Sequence, residues 1–217
     1  MASSGTYTLA PDISDFQEHA FRLCGIDVAT LTDRHSTDAR FALNMLFSFW
    51  STKGVNLYAV DKQTKTVTES TAEYTAATGT LALLDVTVTR SGIDTNVFRI
   101  DRDEYQSIPN KTNEGLATQI FYNRIENKFT LWNTPENSTD VITYWRLRRI
   151  QDVSTGAETP DVPYEWYAAL VYGLAAFLAD IYAPEKQDGL TARAGAYFLQ
   201  ADQFNRERTS TTFQIGC

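Results

Sequence analysis

His19 and His35 are the first candidates for chemistry, and their placement argues against it. Sixteen residues separate them, and neither has a Glu or Cys partner four positions away. Neither a metal site nor a nucleophile–base pair takes shape from such spacing. Both are expected to be ordinary surface residues. The densest acidic group is Asp101-Arg102-Asp103-Glu104. Two carboxylates could flank a glycosidic bond or hold a cation. Acidic side chains in the first turn of a helix are, however, stabilised by its free N–H groups, and Arg102 dilutes the charge, so capping is the expected role. Arg146, Arg148 and Arg149 could touch phosphates. Strand alternation places only Arg146 and Arg148 on one face, and ion pairs between subunits are the expected use. Trp132, Trp145 and Trp166 read as core or interface packing rather than as a stacking platform for bases.

Two cysteines occur, Cys24 and Cys217, without CxxC or Cys/His spacing, so neither zinc nor a disulfide framework is expected. GxSxG, Walker-type and GxGxxG motifs are missing. No catalytic, cofactor-binding or metal-ligating residue is assigned, and the chain is not expected to be an enzyme.

The elements that would position these residues follow from apolar spacing. Asp12 can cap a helix over 12–24 in which Ile13, Phe16, Ala20 and Leu23 recur at helical steps, with Gly25 to end it. Ser36 or Thr37 can cap a second, running to Lys53, whose apolar stripe Leu43, Leu46, Phe47 and Trp50 is broadened by Ala42, Met45 and Phe49, so this helix is expected to be deeply buried. From Val55 to Ile150 the chain turns to short β-branched and aromatic runs: 55–60, 66–69, 82–90, 96–100, 118–123, 128–133 and 140–150. A short helix is expected at Asp101–Ile108, stopped by Pro109. In 140–150, Val141, Thr143, Trp145 and Leu147 are expected to face inward, with Tyr144, Arg146 and Arg148 on the opposite face.

Pro160 and Pro163 lead into a third long helix, 164–182, where Gly173 admits a close neighbour. A fourth, 186–207, carries Leu190, Ala194, Tyr197, Phe198 and Ala201. Residues 209–217 read as extended. The expected fold is α+β: a four-helix core from 1–54 and 151–208, an inserted β-rich lobe from 55–150, and an extended tail, 209–217.

Composition agrees with a folded domain: 43% of residues are hydrophobic and 21% charged. The net charge of −8 is uneven. Residues 1–33 hold one basic and five acidic side chains, 34–150 fourteen and thirteen, and 151–217 four and nine. That distribution disfavours tight nucleic-acid binding, which needs a basic face. It would suit a surface past which DNA slides. Trp166–Ala179 is apolar but shorter than the roughly 20 residues of a membrane span. No secretory leader is expected at the N-terminus.

Several segments together resemble the head-to-tail adaptor proteins of short-tailed bacteriophages. They are Ala39-Arg-Phe-Ala-Leu-Asn-Met-Leu46 with Trp50, Gly54-Val-Asn-Leu57, Ile100-Asp-Arg-Asp-Glu-Tyr-Gln-Ser-Ile-Pro-Asn-Lys-Thr112, and Thr130-Leu-Trp132 with Pro135. Tyr144 with Arg148-Arg-Ile-Gln-Asp-Val153, Asp161-Val-Pro163, Trp166 and Ala169-Leu-Val-Tyr-Gly-Leu-Ala175 extend the likeness over nearly the whole chain. The resemblance implies a structural virion protein at the head–tail junction, assembled from subunits made in the host cytoplasm. It implies a twelvefold ring docked beneath the portal protein, extending the DNA channel, taking part in genome ejection and meeting the next tail component. It also implies a portal-binding C-terminal tail, with Phe213, Gln214 and Ile215 as candidate docking residues. A different connector of the tail tube or tail completion, or a virion-borne peptidoglycan hydrolase, are the competing expectations.

Overall fold

Asp12 and Gly25 bracket the first helix. Asp12 accepts from the backbone of the third helical residue while Asp15 accepts from the Asp12 N–H, and Gly25, at φ 89°, takes the left-handed turn that ends it. The computed structural model describes residues 9–53 and 57–205. In chain order the elements are helices α1 (Ile13–Cys24) and α2 (Asp33–Ser51), then strands β1 (Val60–Thr66), β2 (Glu73–Thr75), β3 (Thr80–Arg90), β4 (Ile93–Asn96) and β5 (Phe98–Ile100). The short helix α3 (Arg102–Ser107) precedes strands β6 (Glu114–Gly115), β7 (Gln119–Asn123), β8 (Lys128–Trp132), β9 (Thr134–Pro135) and β10 (Val141–Arg148). Helices α4 (Tyr167–Tyr182) and α5 (Gln187–Phe204) close the described chain. Two compact units result: Met1–Tyr58 with Ile150–Cys217, and Ala59–Arg149.

In the helical unit, one apolar core draws on all four long helices. Ile13, Phe16 and Phe21 from α1, Leu43, Phe47 and Trp50 from α2, and Leu170, Leu174 and Leu178 from α4 are buried, and Leu190 and Ala201 join from α5. Gly173 is where α4 meets α2. A Cβ there would lie 2.9 Å from Leu46 Cδ2, so the end of the Leu46 side chain would have to shift to admit even a methyl group. The connecting segment after β10 is anchored by main-chain bonds to this unit. Ser14 and Ile13, whose N–H groups have no partner within α1, donate to the carbonyls of Gly156 and Glu158 at 2.9 Å each. Asn44 makes a reciprocal pair with Val153, accepting from its N–H at 2.8 Å and donating to its carbonyl at 3.1 Å.

Helix α2 starts earlier than Ser36 or Thr37. Thr32 is its cap, and His35 supplies the returning acceptor: its Nδ1 lies 3.1 Å from the Thr32 backbone nitrogen. A histidine can fill the place usually taken by Glu or Gln because a neutral ring nitrogen also accepts.

The β unit holds two four-stranded sheets, ordered β1-β10-β3-β4 and β2-β8-β7-β5, and a two-stranded piece, β6-β9. Leu83, Val86, Ile142 and Tyr144 from the first sheet share one buried cluster with Tyr74, Ile120, Phe129 and Leu131 from the second. Of the strand expected at 55–60, residues 55 and 56 lie outside the described residues and 57–59 form a 3-10 turn, and β1 takes the place of the strand expected at 66–69. Its sequence, Val-Asp-Lys-Gln-Thr-Lys-Thr, is polar because it is an edge strand with β10 as its sheet neighbour.

The facing of β10 is the reverse of the expected one. Ile142, Tyr144 and Arg146 are buried, and Trp145 is 44% exposed. An arginine points inward because a carboxylate and two further oxygen acceptors meet it there, which offsets the cost of removing its charge from water.

Candidate functional site

None of the candidate chemical groups gathers into a catalytic arrangement among the described residues. His19 is exposed on α1. His35 is half-buried, its ring edge-on to Phe21 at 5.4 Å and tilted against Tyr182 at 5.0 Å, so it packs between helices rather than lying on an open surface. The Tyr182 hydroxyl donates to Asp38 at 2.5 Å. Burial, then that bond, pushes the Tyr182 hydroxyl above its usual range. Cys24 is buried, its thiol 3.5 Å from the Ala175 carbonyl, and burial raises it, which makes it a poor nucleophile.

Asp101 and Glu104 form the reciprocal cap of α3. The Glu104 N–H donates to Asp101 at 2.8 Å and the Asp101 N–H to Glu104 at 3.2 Å. Asp103 lies exposed beside Arg102. No group of three or more metal-ligating side chains comes together among the described residues.

Arg146 and Arg148 make ion pairs within the β unit. Arg146 donates to both carboxylate oxygens of Asp61, to the Thr78 carbonyl at 2.8 Å and to the Thr80 hydroxyl at 2.9 Å. Arg148 lies 3.7 Å from the same Asp61. The hydrogen bond from Arg146 holds the Asp61 carboxyl below its usual range. Arg149 is exposed. The β unit holds a second ion-pair group that no sequence motif marks. Arg90 bridges buried Asp140, at 2.7 Å, and Glu136, and these bonds hold its guanidinium more firmly protonated. Its members are 46 and 50 residues apart, so no local pattern announces it.

The three tryptophans divide. Trp166 is buried against Trp50, with ring centroids 5.1 Å apart, and against Phe198 at 5.4 Å. Trp132 donates its indole N–H to the Asn110 carbonyl at 2.9 Å. Trp145 is outward-facing.

What the helical unit does present is exposed apolar surface. Phe41, Met45 and Phe49, at four-residue steps on α2, are 69%, 48% and 49% exposed. Four-residue steps keep side chains on one flank of a helix, so these three form a ridge. The ridge ends at a groove of about 620 Å³ between α2, α4 and α5. Phe49 and Trp50 supply one wall, Gly173 and Phe177 the floor, and Phe198 and Leu199 the other wall. The Lys53 ammonium sits over the mouth, 4.4 Å from the Phe49 ring centroid and 5.2 Å from that of Phe198. Large apolar side chains clustered on a surface mark a place for association.

Phe213, Gln214, Ile215 and Cys217 lie outside the described residues. No helix among the described residues is long and apolar enough to cross a membrane. No curated protein matches the chain. The family model of the SU10 adaptor protein matches residues 13–214.

Proposed function

Because the chain belongs to the SU10 adaptor protein family, we propose that it forms the ring joining the portal of a short-tailed phage to its tail. It is a phage adaptor, a structural component of the virion. On this reading, copies made in the host cytoplasm assemble beneath the portal in register with its twelvefold symmetry. The ring extends the DNA channel and offers its far side to the next tail component. DNA passes through without specific binding, and Phe213, Gln214 and Ile215 dock on the portal.

The observation that carries the reading is the apolar ridge of Phe41, Met45 and Phe49 on α2. A ring needs one repeated interface in which a surface of each copy meets a different surface of the next. The ridge, continuous with the groove through Phe49, supplies one apolar side of such an interface. The acidic balance of residues 1–33 and 151–217 suits a channel wall that does not hold DNA.

The test is to mix the purified protein with portal rings and image the product beside the protein alone. A twelvefold ring on the tail-facing side of the portal is expected. No association with portal that is competent for another ligand would overturn the reading.

A further inference from the structure

The sheet β1-β10-β3-β4 ends in two strands beyond which no further strand lies among the described residues, and the two edges differ. Just past β1, the Val67 N–H donates to the Asp140 carbonyl. By the alternation of an antiparallel pair, Asp61, Gln63 and Lys65 then turn their backbone groups toward β10, and those of Lys62, Thr64 and Thr66 point away from the sheet. Just past β4, the Val97 N–H donates to the Val86 carbonyl, so Ile93 and Thr95 bond to β3 while Asp94 and Asn96 offer their backbone groups outward. We propose that β4 of one subunit pairs with β1 of the next, antiparallel and with Asp94 opposite Lys62, so that this sheet runs on from copy to copy. The inference rests on the adaptor reading for its ring of like subunits and names a surface through which they meet.

Direction, facing and charge all fit. Three antiparallel steps separate β1 from β4, so the two strands run in opposite directions within a copy. Rotation about an axis along the strands leaves those directions unchanged, and a neighbour's β1 therefore meets β4 in the antiparallel sense of every other pair in this sheet. Lys62 stands opposite Trp145 and Asp94 opposite Thr89. Trp145 and Thr89 are next in sequence to the buried Tyr144 and Val88, so the Lys62 and Asp94 side chains both project from the outer face.

Lys62 and Lys65 are exposed, and neither takes part in an ion pair among the described residues. The Asp94 carboxylate, also exposed, is met by the Thr89 hydroxyl at 2.5 Å. Two β1 edges side by side would set lysine against lysine, and two β4 edges aspartate against aspartate. Like charges repel across a strand pair and unlike charges attract, so each edge selects the other over a copy of itself. Ser91 and Gly92, at φ 51° and 81°, make the two-residue turn that holds β4 on β3, so this edge is formed before any partner arrives.

The test places Lys62→Cys in one preparation and Asp94→Cys in another, both with Cys217→Ser, which leaves the buried Cys24 as the one native thiol. Facing residues of a bonded antiparallel pair have Cα atoms about 5.5 Å apart, within reach of a disulfide. The preparations are oxidised mildly at high concentration, each alone and mixed, with and without portal rings. The mixture should give at least about tenfold more disulfide between subunits than either preparation alone, because pairing raises the effective concentration of the unlike thiols. Equal yields would overturn the proposal. In chains that keep their cysteines, Lys62→Glu and Asp94→Lys should each weaken self-association several-fold by sedimentation, and the two together should restore it. A double variant no better than the singles would count against the pairing as well. Rings on portal without the mixed disulfide would sink this inference and leave the adaptor reading standing; the mixed disulfide without portal binding would do the reverse.

Discussion

Arg146 of β10 and Asp61 of β1 meet as a fork on a carboxylate, Nε to Oδ1 at 2.6 Å and Nη2 to Oδ2 at 3.1 Å. Their strands pair directly, with Asp61 opposite Arg146 in the register. The arginine side chain is 8% exposed and the aspartate 35%, so this pair is neither a surface contact nor wholly removed from water. Its loss leaves a buried cation short of its counter-charge.

Asp61→Asn is therefore expected to destabilise the protein by about 2 kcal/mol, below the value for a fully buried pair because Asp61 is partly solvated. Urea unfolding of the variant beside the parent measures this. The pair also sets a pH dependence. The folded state holds the Asp61 carboxyl below its ordinary value of 3.8, chiefly through the Arg146 bond. The unfolded chain thus takes up the proton first as pH falls, so the stabilisation is complete above 3.8 and fades below it. The gap between parent and variant should narrow from pH 6 to pH 3; a constant gap would contradict the assignment.

Gly173→Val should cost about 2 kcal/mol, since its branched side chain must displace the buried Leu46 methyls. Gly173→Ala should be close to neutral, because about 1 kcal/mol of improved helix propensity opposes the smaller clash. Thermal unfolding of both distinguishes a steric requirement at this crossing from a simple preference for small residues.

Tyr182→Phe removes the bond to Asp38 and should cost about 1 kcal/mol at neutral pH. Burial and that bond raise the folded-state value of the Tyr182 hydroxyl above its ordinary 10.0, so its contribution is present below 10.0 and lost as pH rises through the higher folded value. Unfolding midpoints of parent and variant should converge in strong alkali. Convergence in acid instead would refute the sign.

Phe41→Asp on the outer ridge should leave stability within about 0.5 kcal/mol of the parent, as expected for an exposed position. Ring formation on portal should be lost with it. Sedimentation of mixtures, paired with unfolding curves, separates these two effects, and unchanged rings would remove the ridge from the interface.

Helix positions were legible in the sequence because their cues are local: a capping Asp12, a closing Gly25 and apolar residues three and four apart. The start of α2 was not, since a histidine in the returning-acceptor position of Thr32 is an unusual cap. Strand β1 was hidden by its polarity, which only its edge position explains. The facing of β10 departs from its alternation pattern because an arginine is expected outward unless its partner is known, and Asp61 lies 85 residues away. Of the candidate site, the breadth of apolar residues around α2 is visible in the sequence, but it implies a deeply buried helix, whereas Phe41, Met45 and Phe49 remain exposed. The groove is not visible there, because its walls come from three helices and its floor from a glycine.

The pairing of β1 with β10 has a consequence for how such a chain can vary. These are the first and last strands of the β unit, antiparallel and in register from Val60 opposite Leu147 to Thr66 opposite Val141. The unit's entry and exit are therefore neighbours, and bringing them together costs the rest of the chain little loop entropy. A segment of about ninety residues with adjacent ends should therefore tolerate changes in the length of its outer turns without parting its entry from its exit.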